Sequence, residues 1–103
     1  MFWVIVNYIA LLNINESIIY DMPTAYILVF CEPGCETAVV DELRTLPSVV
    51  EAARIYGSSY DIIVKVTSDT TSKLTEIISK NIRRVEKVKA TQTMTVIEKD
   101  KVN

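Results

Sequence analysis

From residue 24 onwards, the spacing of hydrophobic positions alternates between the period of a strand and that of a helix. Four segments are typical of strands: residues 25–31, 49–56, 60–67 and 88–98. Two segments have the spacing of amphipathic helices: residues 35–46 and 70–84. Pro47 ends the first helix, and Asp69 or Thr70 is placed to cap the second. The predicted order of elements is therefore βαββαβ.

This order is that of the ferredoxin-like fold, an α+β arrangement with a four-stranded antiparallel sheet and both helices on one face. In the first strand Tyr26, Leu28 and Phe30 point to one face and Ala25, Ile27 and Val29 to the other, and in the third strand Ile62, Val64 and Val66 oppose Ile63. An antiparallel sheet face that meets water is ordinarily polar, and here neither face is. We therefore expect a second copy to cover the face without helices, giving a dimeric α+β barrel or sandwich. A homodimer is the smallest assembly that the pattern predicts.

Composition and charge narrow the classes of function. The 103 residues fit one domain, and the formal net charge is −2, with no basic stripe that would indicate direct contact with nucleic acid. The chain contains no histidine, which excludes imidazole-based catalysis, Ser-His triads and histidine metal sites. We expect no catalytic residues and no cofactor.

The chain is expected to divide into three parts: an apolar extension or connector (residues 1–22), the folded domain (23–98) and a polar tail (99–103). Residues 1–12 are too few to span a bilayer, which takes about 20 apolar residues. The first positive side chain is Arg44, so the charge that precedes the core of a signal peptide is missing. We expect a cytoplasmic protein without membrane contact. The N-terminal part is too short and too poor in basic residues for a helix-turn-helix.

Two cysteines, Cys31 and Cys35, flank the turn Glu32-Pro33-Gly34 between the first strand and the first helix. Two thiols without histidine cannot complete a Cys₄ zinc site or an iron–sulfur cluster. Three interpretations stay open: two free thiols, a local disulfide, or a two-thiolate site for a soft metal. The last would make the chain a metal-carrying ferredoxin-like module, although three residues separate the thiols where such carriers have two.

The connection between the second and third strands carries the candidate binding chemistry. Gly57 lets the backbone take a positive φ and lets a small ligand approach closely. Asp61 is the only acid in an apolar run, so it either meets solvent or pairs with a cation. Loop N–H groups facing a carboxylate, with Asp61 facing an ammonium, would hold a zwitterion. Simpler roles also stay open: a hairpin glycine, packing tyrosines at positions 56 and 60, and an Asp61 that bonds its own loop amides.

The order and spacing of several motifs resemble the ligand-sensing domain of the Lrp/AsnC family, also called the RAM domain. The resemblance covers residues 24–98, about three-quarters of the chain. The motifs are Ala25-Tyr26-Ile27-Leu28-Val29, Glu32-Pro33-Gly34, Val39-Val40-Asp41-Glu42-Leu43, Tyr56-Gly57, Tyr60-Asp61-Ile62-Ile63-Val64-Lys65-Val66 and Ile82-Arg83-Arg84-Val85-Glu86-Lys87-Val88.

The resemblance implies face-to-face dimers, often assembled into octamer-like rings, that bind amino acids or related metabolites between dimers. The chain is similar to stand-alone members, found mainly in archaea and bacteria, which lack the family's helix-turn-helix. Any effect on transcription would be indirect, for example through assembly with a full-length Lrp/AsnC-type regulator. By position, the implied ligand-binding residues are Tyr56, Gly57, Ser58, Tyr60, Asp61, Thr91 and Thr93. The family loop commonly has two residues between glycine and aspartate, whereas Ser58, Ser59 and Tyr60 make three here.

Some of these residues also have purely structural explanations. A second class of function shares the architecture. Thr91, Thr93 and Thr95 are ordinary strand formers, and the basic cluster at residues 83–89 suits the solvated C-terminal end of a helix. The second class is the dimeric α+β barrel enzyme, such as a cofactor-free monooxygenase or isomerase. It needs a polar, catalytically competent group inside the barrel, and the inward-facing candidates here are mostly aliphatic.

Overall fold

The structure is a computed structural model that describes residues 22–97. Its elements are β1 (Thr24–Cys31), α1 (Glu36–Arg44), β2 (Val49–Arg54), β3 (Ile62–Thr67), α2 (Thr71–Ile77) and β4 (Val88–Thr95). The predicted βαββαβ order is confirmed. The predicted tail and all of the predicted N-terminal extension except Met22 lie outside the described residues. No helix within residues 22–97 is long and apolar enough to cross a membrane.

The four strands form one antiparallel sheet in the order β2-β3-β1-β4. β1 is central, so that Val29 lies opposite Ile62 of β3 on one side and opposite Thr91 of β4 on the other. Side chains alternate across the sheet, and cross-strand partners share a face. The register shifts between Phe30 and Cys31, which places an irregularity at the end of β1.

One face of the sheet forms the core with the two helices. The residues of that face in β1 and β3 are completely buried: Ala25, Ile27, Val29, Ile62, Val64 and Val66. They form one cluster with the apolar stripes of the helices: Val39, Val40, Leu43, Leu74, Ile78 and Ile82. The opposite face carries no helix, and Phe30 and Met94 on it remain 38% and 40% exposed. The predicted division into a covered face and an open face is therefore confirmed.

The turns follow from local residue chemistry. Cys35 donates its N–H to the Glu32 carbonyl at 3.0 Å. Pro33 and Gly34, the latter at φ +87°, occupy the two central positions of this turn, as a type II turn requires. The start of α2 is capped by Thr70, whose hydroxyl accepts the N–H of Lys73 at 3.1 Å. Capping by Thr70 was one of the two predicted alternatives.

Several element boundaries differ from the prediction. The α-helical hydrogen bonding of α2 ends at Ile77 and continues as a π-helical turn over Ile78–Ile82, in which the Arg83 N–H bonds to the Ile78 carbonyl. The predicted α-helix over residues 70–84 is wrong for this last turn, although Ile78 and Ile82 are buried as expected. β2 ends two residues before its predicted end and β3 begins two residues after its predicted start, which lengthens the connection between them to residues 55–61.

Candidate functional site

The connection between β2 and β3 is closed by the backbone at its base. Ile55 donates its N–H to the Asp61 carbonyl at 2.9 Å, and Asp61 donates its own N–H to the Val29 carbonyl at 2.8 Å. Between these bonds Gly57 takes φ +100°, a conformation that favours glycine. The Ser58 hydroxyl accepts the Tyr60 N–H at 3.1 Å, so the loop uses one of its own amides internally.

Tyr56 is fully exposed, whereas Tyr60 is half-buried. A tyrosine normally buries a large apolar area, and Tyr56 buries none within residues 22–97. The packing explanation of this position therefore finds no support in this part of the chain. The ring is free to contact a ligand or another subunit.

The carboxylate of Asp61 is held against the end of β1. Its Oδ2 accepts the backbone N–H of Cys31 at 3.1 Å, just after the register shift. Asp61 is half-buried, and among residues 22–97 it forms no ion pair with lysine or arginine. This contact is neither a bond to its own loop amides nor a pairing with a cation, whereas the third predicted alternative, a carboxylate that meets solvent, agrees with its partial exposure. A carboxylate has about four lone-pair sites, so its hydrogen bonds to the backbone and thiol of Cys31 leave acceptor capacity for a ligand.

A thiol and a second carboxylate lie beside Asp61. Cys31 Sγ and one carboxylate oxygen each from Glu36 and Asp61 lie within 4.8 Å of one another. Burial, and then the charges of Asp61, Glu36 and Cys35, raise the pKa of the Cys31 thiol from 9.0 to about 11. Cys31 is therefore a neutral thiol at physiological pH. Both cysteines are free in the structure.

Thr91 and Thr93 of β4 lie on the far side of β1 from the loop. Thr91 is opposite Val29, and Thr93 is opposite Ile27. Because β1 separates β3 from β4, the backbones of these two strands are roughly 10 Å apart, twice the spacing of neighbouring strands. The two threonines therefore do not lie in one cluster with Tyr60 and Asp61.

Arg83 makes a contact with β4 that was not predicted from the sequence. Its Nε donates to the Thr91 hydroxyl at 3.3 Å. The two residues line a surface groove of about 400 Å³ with Val88, Lys89 and Ala90. The sequence places Arg83 in a basic cluster, but its approach to β4 depends on the turn at residues 85–88, where Val88 donates its N–H to the Val85 carbonyl. A turn predicted at residues 85–88 would have placed Arg83 beside β4.

Comparison with known proteins gives a consistent result. The Lrp/AsnC ligand binding domain family matches residues 24–102. The chain is similar to a hypothetical protein from Pyrococcus horikoshii, with 41% identity, coverage of 74% of this chain and 90% of that one, and a TM-score of 0.69. It also shares its fold with a transcriptional regulator from Neisseria meningitidis solved in complex with L-Met, at 16% identity, 85% and 57% coverage and a TM-score of 0.67.

The chain is also similar to a short part of a curated enzyme. The homocitrate synthase of Sulfurisphaera tokodaii is 42% identical to the chain over 76 residues. The match covers 73% of this chain but only 16% of the synthase, so the chain spans less than a fifth of this relative. The similarity therefore concerns a small part of that enzyme.

Proposed function

We propose that this chain, which belongs to the Lrp/AsnC ligand binding domain family, is a non-catalytic module that binds a small amino acid or related metabolite at subunit interfaces. Membership of a regulatory family supports an effector-binding role rather than catalysis. The effector would change the assembly of the module and thereby, indirectly, transcription in the cytoplasm. Residues 22–97 contain no helix-turn-helix, so DNA contact would come from a full-length Lrp/AsnC-type regulator in the same assembly.

One observation carries the proposal: a carboxylate without a cationic partner stands beside an exposed glycine loop. Asp61 is fixed by the Cys31 N–H at 3.1 Å and is not neutralised by any lysine or arginine within residues 22–97. An ammonium group would supply the missing charge through a charge-assisted hydrogen bond. The exposed loop at Gly57 and Ser58 would meet the effector's carboxylate.

The site needs more than one chain. Tyr56 is fully exposed, and the loop and the threonines flank β1 on opposite sides. We infer that the open sheet face pairs two protomers and that rings of such dimers place the loop of one chain against a neighbour. The Neisseria meningitidis relative, solved with L-Met, supports an amino acid as the class of effector and makes L-methionine the first candidate.

The proposal is tested by thermal unfolding with each common amino acid at millimolar concentration. A ligand at a hundred times its Kd adds about 2.7 kcal/mol, which raises the Tm by on the order of 10 °C in a domain of this size. Asp61→Asn keeps an acceptor for the Cys31 N–H but removes the charge, so it should abolish the shift. Asp69→Asn is the matched control, because Asp69 is an exposed carboxylate paired with Lys73 at 3.6 Å. The proposal fails if no amino acid raises the Tm, or if Asp61→Asn responds like the unmodified protein.

The match to homocitrate synthase favours a second candidate, a module that conveys effector binding to an enzyme. The 42% identity over 76 residues supports a shared domain type, not a shared reaction. The test adds the purified chain to the homocitrate synthase of the same host and measures activity with and without the effector identified above. Unchanged activity together with separate elution on gel filtration would exclude this candidate and leave the first one standing.

A further inference from the structure

Three potential metal ligands converge where β1 ends, α1 begins and β3 starts. Cys31 Sγ and carboxylate oxygens of Glu36 and Asp61 lie within 4.8 Å of one another. Around a tetrahedral zinc ion, with bonds of about 2.0–2.3 Å, ligand atoms lie about 3.3–3.8 Å apart. Shortening the distances between the three atoms by about 1 Å would therefore allow all three to bind one metal ion, and side-chain rotation can provide a change of this size.

Each ligand is positioned by a different part of the fold. Cys31 is the last residue of β1 and is only 1% exposed, so its sulfur forms the inner wall. Glu36 is the first residue of α1, and the turn containing Gly34 sets where that helix begins. Asp61 is anchored through Oδ2 by the Cys31 N–H at 3.1 Å. Both carboxylates are half-buried and form the solvent side of the cluster, which gives an ion a way in.

The cluster has no counter-charge of its own. The acids that pair with lysine within residues 22–97 are others: Asp69, Glu76 and Glu32. Two carboxylates and a thiol therefore stand together without a cation within residues 22–97. A divalent cation would supply the missing positive charge, and the thiol proton would leave to solvent as the metal–sulfur bond forms.

A second thiol is available to complete the coordination. Cys35 is half-buried, immediately precedes α1 and is the neighbour of Glu36 in sequence, although it is not one of the three groups that lie within 4.8 Å of one another. Sulfur ligands select a thiophilic ion, since calcium and magnesium take oxygen ligands. We infer that Cys31, Glu36 and Asp61, with Cys35 as the fourth ligand, form a binding site for a divalent cation of the zinc class. This set differs from a two-thiolate carrier site, because two of its ligands are carboxylates and Asp61 comes from a distant part of the chain.

Cobalt(II) titration of the purified, chelator-treated chain tests the inference. Thiolate ligation gives a near-ultraviolet charge-transfer band, and tetrahedral geometry gives strong visible bands. We expect both at one cobalt per chain, with displacement by Zn²⁺. Glu36→Gln should weaken binding about tenfold or more, and Cys35→Ser should remove part of the charge-transfer intensity. Glu42→Gln is the matched control, since Glu42 is an exposed acid of the same helix.

The outcomes separate this inference from the amino-acid proposal. Cys31→Ser should lose the charge-transfer band, and circular dichroism checks that this buried variant still folds. Glu36→Gln alters a half-buried residue and gives an independent measurement in case Cys31→Ser does not fold. The inference is overturned if the unmodified protein binds no stoichiometric cobalt or zinc at micromolar metal, or if Glu36→Gln binds as well as Glu42→Gln. Amino-acid thermal shifts should persist in Glu36→Gln, so either proposal can fail alone.

Discussion

Adjacent residues of β1 face opposite environments, although both faces are apolar. Ile27 is completely buried under the helices, whereas its neighbour Leu28 is only half-buried, and Phe30 on the same face is 38% exposed. The difference lies not in hydrophobicity but in topology, because both helices return to the same side of the sheet. An apolar pattern alone therefore does not distinguish the two faces, and the connections between elements determine which of them this chain covers itself.

The two faces of the sheet also differ in the polar side chains that lie on them. The covered face of β1 and β3 is aliphatic, and its one thiol, Cys31, is held neutral. The open face includes Lys65, which lies opposite Tyr26 of β1 and Glu51 of β2, and Gln92, which lies opposite Leu28. The open face therefore mixes apolar and polar side chains, whereas the covered face does not.

The largest effect should come from the covered face. Ile27→Ala removes packing at a site that is 0% exposed, and we expect a loss of about 2–5 kcal/mol in the free energy of unfolding. The loss should be the same at every protein concentration, because the affected contacts lie within one chain. Urea unfolding at two concentrations measures it. Leu28→Ala is the matched control, and an equal, concentration-independent loss there would remove the distinction between the faces.

Charge on the open face should separate protomers without unfolding them. Leu28→Asp places a carboxylate in the expected sheet-to-sheet contact, and in a symmetric dimer it does so twice. We expect the dimer Kd to rise about a hundredfold or more, equivalent to about 2.7 kcal/mol, with circular dichroism unchanged. Sedimentation equilibrium measures the Kd, and Ser72→Asp on the exposed surface of α2 is the control. An unmodified chain that is monomeric at micromolar concentration would contradict the expected dimer itself.

On the covered face, ionisation of the Cys31 thiol should lower the free energy of unfolding. The folded pKa of about 11 lies above the ordinary 9.0, so the folded state binds more protons between these pH values. The resulting stability is fully present below pH 9 and is lost as pH rises towards 11. Its size is on the order of 2–3 kcal/mol.

Chemical denaturation across this pH range in the presence of a chelator measures the loss. Cys31→Ala should flatten the profile, whereas Cys35→Ser should keep it, because the shift is assigned to the buried thiol. A profile equally steep in Cys31→Ala would show that another group causes it.

The sequence was sufficient for the order of elements and for the two faces, because both depend on the periodicity of apolar residues. Tyr26, Leu28 and Phe30 could be separated from Ala25 and Ile27 by alternation alone. Family resemblance then supplied the site residues, which remain predictions. The boundaries at residues 54 and 62 were each predicted two residues too far into the connection, since the polar and aromatic residues there suit both a strand end and a loop.

The remaining features depend on contacts between distant residues. The bond from Cys31 to Asp61 joins positions 30 residues apart, and no local pattern encodes it. Arg83 reaches Thr91 only because the chain reverses between them. The π-helical turn at residues 78–82 escaped prediction because it leaves Ile78 and Ile82 buried, as an α-helix would.

The smallest effect should come from the one cation on the open face of β1 and β3. Lys65 Nζ lies 5.8 Å from the centre of the Tyr26 ring, a contact of about 0.5–1 kcal/mol at an exposed site. Stacking the open faces would remove water from this ammonium, and replacing a desolvated charge by an apolar group of similar length is often neutral or stabilising.

We therefore expect Lys65→Met to destabilise the protomer slightly, to tighten the dimer Kd by up to about tenfold, and to reduce the dependence of the dimer Kd on salt. Sedimentation at low and high salt measures this. Lys80→Met, which removes an exposed lysine paired with Glu76 on α2, should leave the dimer Kd unchanged. A tenfold weakening in Lys65→Met would contradict the expectation, and would show that the ammonium is paired across the interface rather than merely tolerated there.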